Sequence, residues 1–227
     1  MELQALLHTI FLRSPTNLFD EFLVEVQKWY ERPAHTLTEM RSRNNKKVRG
    51  DIFEEFCALY LKYVKGYDQV WLLSEVPDEI LIELKIKRQD MGIDIVVSHA
   101  GESYAVQCKY KKHGTRTKNV LSWTALSTFY AMCLRTGPWS KYIVMTNCDY
   151  TRHQGPKTTK DISICLKTLQ NLKKEEWIKM CDLSGNVMST VKPSSELSPQ
   201  ELRERRLARF ECPPEPSCPA PAATSDA

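Results

Sequence analysis

QDMGIDIVVSHAGESYAVQCKYKK, residues 89–112, contains two runs of strict alternation joined by a turn signal. Ile93, Ile95 and Val97 alternate with Asp94, Val96 and Ser98. After the HAG turn, Tyr104, Val106, Cys108 and Tyr110 alternate with Ala105, Gln107, Lys109 and Lys111. A period of two with apolar residues on one side is the pattern of a β-strand, and two such runs around a glycine form a hairpin. Closing the turn at Ala100–Gly101 brings Asp94 opposite Gln107. Gln107 and Lys109 then project together, on the side away from Val106 and Cys108. A carboxylate, an amide and an ammonium thus converge between apolar positions. That grouping is costly unless a metal, a ligand or solvent satisfies it.

Outward from the hairpin, the chain alternates helical and extended patterns. Residues 3–12 and 17–31 have helical periodicity, and Pro33 ends the pair. A basic connector, RSRNNKKVRG (41–50), leads into a helix whose core stripe is Ile52, Phe53, Phe56, Leu59, Tyr60 and Tyr63, closed by Gly66. DQVWLL (68–73) reads as a strand, and Pro77–Asp78 opens a short helix with Ile80, Leu81 and Leu84 inward. Beyond the hairpin, the patterns predict a helix over 121–135, a buried strand at KYIVMT (141–146), a helix over 162–172 and a last strand at WIKMCDL (177–183). Helices interleaved with strands, two of which form a hairpin, indicate an α/β sandwich with a mixed sheet.

The chain has 227 residues, 42% hydrophobic and 26% charged, enough apolar content for one domain with a real core. No run of about eighteen apolar residues occurs, and the N-terminus lacks a basic region before its apolar stretch, so the expectation is a soluble intracellular protein without membrane association. The net charge of +4 hides a strong asymmetry: residues 103–148 carry seven Lys or Arg and not one Asp or Glu. An acid-free basic block points to an anionic partner or to a solvated basic face. The eight cysteines include no C-x-x-C pair, and the five histidines have no zinc-like spacing, so these cysteines read as small reduced core residues. Three regions emerge: an N-terminal helical segment (1–40), a main domain (41–185), and a linker with a charged amphipathic helix (198–210) and a disordered Pro-rich tail (186–227).

The ordered set Asp94-x(12)-Gln107-x-Lys109 resembles the signature of PD-(D/E)xK nucleases, in the Mrr-like restriction endonuclease branch where glutamine replaces the usual acid. The surrounding words agree: Gly50-x-x-Phe53-Glu54-x-Phe56-Cys57 on the preceding helix, DMGID (90–94), YAVQCKYK (104–111), LSTFY (126–130) and YIVMTN (142–147). The resemblance spans roughly residues 46–185 and is similar above all to restriction-endonuclease-like proteins of large DNA viruses. It implies a restriction-endonuclease-like sandwich, a central mixed sheet flanked by helices, and a Mg²⁺- or Mn²⁺-dependent DNA endonuclease.

The resemblance also implies roles, and the chemistry is consistent with them. Hydrolysis of a phosphodiester needs charge neutralisation, an oriented water and help for the leaving oxygen. Asp94 would be the principal metal ligand, with Gln107, the backbone carbonyl of Cys108 and Glu54 as further oxygen donors. Lys109 would orient the water and balance phosphate charge. Glu54 matches the family's helix glutamate; Glu55 is its neighbour, and helix rotation decides between them. Lys111, Lys112, Arg116 and Lys118, with Lys46, Lys47 and Arg49 before the helix, are candidate phosphate contacts. Thr146 and Asn147 lie at a strand end next to Asp149, Arg152 and His153, where substrate contact is one reading; turn chemistry explains Asn147 and Asp149 equally well. The partner expected is DNA, cut by a homodimer if both strands are cleaved. The absence of G-x-x-x-x-G-K-[ST] assigns any helicase activity to another protein. The competing reading is a catalytically weak or inactive module of the same fold that binds DNA.

Overall fold

A computed structural model of the chain describes residues 3–13, 17–31, 36, 45–89, 92–112, 119–152 and 158–181. The chain divides after Ser184. All described residues precede that point, so the expected helix at 198–210 and the Pro-rich tail lie outside them.

Two helices open the chain, α1 (Leu3–Arg13) and α2 (Leu18–Glu31). Asn17 caps α2, its Oδ1 accepting from the N–H groups of Phe19 and Asp20. Next comes α3 (Asn45–Leu59), which runs on through one π turn, Tyr60–Val64, to Gly66 at φ 67°. The basic stretch expected as a connector is therefore helical from Asn45, and Lys46, Lys47 and Arg49 sit in the first turns of α3. Strand β1 (Gln69–Leu72) and helix α4 (Asp78–Leu84) precede the hairpin of β2 (Ile95–His99) and β3 (Glu102–Lys109). Then follow β4 (Val120–Leu121), α5 (Ser127–Arg135), β5 (Lys141–Thr146), β6 (Tyr150–Thr151), β7 (Asp161–Ile164), α6 (Leu166–Gln170) and α7 (Lys174–Met180).

The main sheet has five strands in the order β1-β2-β3-β5-β7, and β4 pairs with β6 in a small second sheet. Neighbours β1/β2 and β2/β3 are antiparallel, whereas β3/β5 and β5/β7 are parallel. The sheet is mixed and covered by helices, as the sequence predicts. Three elements correct the sequence reading. Residues 121–135 begin with the last residue of β4 and a 3₁₀ turn at Trp123–Ala125, so the helix starts only at Ser127. Residues 161–164 form an edge strand rather than the start of a helix over 162–172. WIKMCDL is not a strand: residues 174–180 are helix α7.

Alternation along the strands divides the core into two layers. Ile95, Val97, Tyr104, Val106, Cys108, Ile143 and Met145 face α1, α2, α3 and α7, packing with Phe19, Phe22, Phe53, Phe56 and Trp177. Val96, Ala105 and Val144 face the other way, against Leu81 and Leu84 of α4 and Phe129 and Cys133 of α5. Each fully buried aliphatic or aromatic side chain contributes about 1.5–3 kcal/mol over leaving it in water, so both layers are needed to hold the sheet. The six described cysteines are free, five of them buried.

Candidate active site

The hairpin ladder ends at the pair Ile95–Val106, one step short of Asp94 and Gln107. The Asp94 N–H donates to the Val106 carbonyl at 2.9 Å, one residue off a regular Asp94–Gln107 pair, so it is the Asp94 side chain that reaches Gln107. Gln107 and Lys109 alternate with Val106 and Cys108 and so face the α4/α5 side of the sheet, whereas alternation breaks at Asp94: Ile93 packs in the α4/α5 layer and Ile95 in the other. Asp94 Oδ2 accepts two hydrogen bonds from β3: from Gln107 Nε2 at 2.8 Å and from the Cys108 N–H at 2.6 Å. Because a carboxylate can only accept, the group Gln107 turns towards Asp94 is its NH₂. Gln107 is 1% exposed and lies behind the cleft wall, holding the carboxylate rather than lining the cleft.

Asp94, Glu54 and Lys109 line one open cleft of about 1190 Å³. Its walls also carry Asp51, Glu55 and five cations: Arg49, Arg88, Lys109, Lys111 and Lys112. Glu54 and Glu55 both reach it from α3, and Glu54 is the half-buried one. Partial desolvation at the cleft raises the exposed Glu55 carboxyl from its ordinary value, reinforced by repulsion from Asp51 and Glu75. Burial likewise pushes the Cys108 thiol well up, helped by contact with Cys57 and by the negative charges of Asp94 and Glu54. Glu54, Asp94 and Cys108 line the same cleft. A thiol held protonated in this way is no thiolate ligand, so what Cys108 can offer a hard cation is its backbone carbonyl.

Among the described residues no group of three or more His, Cys, Asp or Glu side chains is arranged to hold a metal. Two carboxylates with carbonyl oxygen nearby nevertheless suit Mg²⁺, which takes one or two protein carboxylates and keeps much of its water. Zinc does not suit, for want of nitrogen or thiolate donors.

Arg49, 9% exposed, lies in the cleft wall with its guanidinium 5.7 Å from the Tyr110 ring centroid. Lys111 and Lys112 are exposed at the rim. Arg116 and Lys118 fall outside the described residues, as do the side chains of Lys46 and Lys47. Sequence reasoning missed Arg88, which reaches the cleft from the segment after α4 while bonded to Asp78 Oδ1 and the Val76 carbonyl. Ordinary surface spacing gave no signal for it.

A family model described as restriction endonuclease, of the Mrr catalytic type, matches residues 61–180. The chain belongs to this restriction endonuclease family. The matched span contains Asp94, Gln107, Cys108 and Lys109 but stops short of Glu54 and of α1–α3. Family membership points to nuclease chemistry, and the five-stranded mixed sheet between helices is consistent with the restriction-endonuclease-like fold. No curated protein matches the chain. One solved structure is similar at low level, the crystal structure of a protein of unknown function, AF1548: 16% identity over 68% of this chain and 76% of that one, with a TM-score of 0.35.

Proposed function

We propose that this restriction endonuclease family member is a divalent-metal-dependent DNA endonuclease with its active site at Asp94, Glu54, Gln107 and Lys109. The observation that carries the proposal is the Asp94 carboxylate, fixed by two donors from the neighbouring strand on the wall of a cleft shared with Glu54 and Lys109. A carboxylate held this way loses little entropy on meeting a cation. Asp94, Glu54 and the Cys108 carbonyl would hold Mg²⁺ or Mn²⁺, with Gln107 as a neutral further donor. The ion supplies neutralisation of charge on the phosphate and a more acidic water.

The chain's own residues do the rest. Lys109 donates to a phosphate oxygen or to the attacking water, orienting it towards phosphorus. Arg49, Lys111 and Lys112 hold the DNA backbone along the cleft, a sequence-independent contact, with Lys46, Lys47, Arg116 and Lys118 as further phosphate-binding candidates by charge. One site per chain cutting both strands calls for a homodimer, and helicase or ATPase work in the same process belongs to another protein. The expected setting is intracellular, cytoplasmic or nuclear, where DNA is met. The likeness to proteins of large DNA viruses rests on the same hairpin words and belongs to this proposal.

A second reading, a weak or inactive module that binds DNA, is favoured by Gln107: it adds no negative charge at the site and gives its amide N–H to Asp94. Plasmid DNA with Mg²⁺ or Mn²⁺ separates the two. Wild type is expected to nick or linearise it, while Asp94→Ala and Lys109→Ala lose at least about a hundredfold in rate. Equal cleavage by all three would sink the assignment. Binding that weakens with salt, without cleavage, would establish the module.

A further inference from the structure

The parallel β3/β5 ladder ends at the pair Lys109–Thr146, and β3 itself ends there. Peptide groups past the end of a strand lack ladder partners. Here side chains of β5 and its following turn supply them. Thr146 Oγ1 donates to the Lys109 carbonyl at 2.7 Å and accepts from the Cys148 N–H at 3.2 Å. Asn147 Oδ1 accepts from the Lys111 N–H at 2.8 Å, and its Nδ2 donates to the Lys111 carbonyl at 2.7 Å. A primary amide presents the same donor and acceptor as a peptide group, so Asn147 adds one more rung to the ladder. Asp149 makes a second clamp: its carboxylate accepts from the Asn119 N–H at 2.6 Å while its own N–H donates to the Asn119 carbonyl at 2.8 Å.

Thr146 and Asn147 are both 0% exposed. Direct substrate contact, one of the two readings the sequence left open, is therefore excluded for both. They extend the strand geometry two residues past Lys109, so Lys109 and Lys111 continue on one side while Tyr110 packs on the other against Phe53 and Arg49. We propose that Thr146 and Asn147 are positioning residues of the nuclease site: through the backbones of Lys109 and Lys111 they set two same-side cations at a fixed spacing along the cleft, matched to the phosphate backbone. This rests on the reading of Asp94 and Lys109 as the reactive centre.

Two near-isosteric changes test it. Thr146→Val removes the hydroxyl and keeps the volume; Thr146→Ser restores the hydroxyl. Asn147→Asp keeps an acceptor for the Lys111 N–H but turns an oxygen onto the Lys111 carbonyl. Each is measured for melting temperature, single-turnover plasmid cleavage at saturating protein, and DNA affinity against salt, with Asp94→Ala as control. Thr146→Val is expected to melt cooperatively and cleave about tenfold or more slowly with affinity within about threefold, and Thr146→Ser to regain most of the rate. Asn147→Asp is expected to bind more weakly, with the slope of log Kd against log salt reduced by about one.

Folded variants that cleave and bind like wild type would overturn the proposal, as would a Thr146→Ser no better than Thr146→Val. If Asn147→Asp does not fold, the Thr146 pair decides. Should wild type fail to cleave, or Asp94→Ala cleave equally, the nuclease reading fails separately. The salt slope then decides alone: unchanged in Asn147→Asp, or no DNA binding at all, overturns the positioning role.

Discussion

Gln107 shows how one side chain can face two ways. Its amide nitrogen meets Asp94, whereas a metal would require its oxygen; turning the amide by half a rotation exchanges one for the other without moving the strand. In the present arrangement it orients the carboxylate, a role that composition and spacing could not distinguish from ligation. Gln107→Glu separates the roles. Two carboxylates would then meet where an amide donates at 2.8 Å, the one at position 107 in the place of a side chain 1% exposed. Like charges this close cannot both ionise freely, so the pair takes up a proton on folding. Without metal, stability near neutral pH is expected to fall by about 1–3 kcal/mol. The sign of the pH dependence follows: with the folded-state pKa raised, the penalty is full above it and relieved as pH falls through it. Mg²⁺ should raise the melting temperature of the variant more than that of wild type. A variant no more metal-responsive than wild type would place position 107 outside the metal's reach.

At the scale of elements, the hairpin was legible because its alternation is long enough to fix both period and register, which carried Asp94 close enough to Gln107 for their side chains to bond. Shorter elements were not. Asp161–Ile164 has four residues and becomes a strand only by pairing with β5. Trp177, Met180 and Cys181, all buried, satisfy helical spacing, while Trp177, Lys179 and Cys181 read equally as alternation. The deciding signal lay just upstream, where Glu176 Oε2 accepts from the Lys173 N–H as an N-terminal cap of α7. Glycine marks a further constraint of this kind. Gly92, two residues before Asp94, has φ 92°, and a Cβ there would meet the Phe129 backbone N at 3.2 Å, at the start of α5. Backbone atoms of a helix cannot step aside, and a left-handed φ costs an alanine about 1–2 kcal/mol more. Gly92→Ala is therefore expected to lower stability by about 1–3 kcal/mol and to cut cleavage further than stability explains, because Asp94 is displaced with the loop. Thermal melts beside cleavage rates taken well below the transition check this; a stable variant with full activity would remove the constraint.

Across the whole molecule, the residues that carry the family likeness and those that make a folded body are not the same set. The family match runs over 61–180, yet the sheet face bearing Val106, Cys108 and Met145 is covered by Leu7, Phe19, Phe22, Phe53 and Phe56, all N-terminal to it. Phe22 and Phe56 stack with ring centroids 4.7 Å apart, and Phe56 packs on Trp177 at 5.9 Å. Polar bonds tie the same ends together: Trp177 Nε1 donates to the Leu7 carbonyl at 3.1 Å, Gln170 Nε2 to Asp20 Oδ1 at 2.7 Å, and Asn17 Nδ2 to the Gln170 carbonyl at 2.6 Å. The first helices thus close over the last ones, and α1–α2 form a layer of the same core rather than a separate module. One of the same covering helices, α3, carries Glu54 to the cleft that Asp94 lines. A fragment of residues 61–180 would leave the aromatic layer's partners in water, at about 1.5–3 kcal/mol for each large side chain, more in total than a domain's net stability of about 5–15 kcal/mol. It is expected to lack a cooperative melt and near-ultraviolet dichroism, while residues 1–184 keep both. Leu7→Ala in the full chain should cost about 2–5 kcal/mol and change Trp177 fluorescence, since the side chain is fully buried beside the indole's acceptor. A 61–180 fragment that melts cooperatively would show that the N-terminal layer is dispensable for folding.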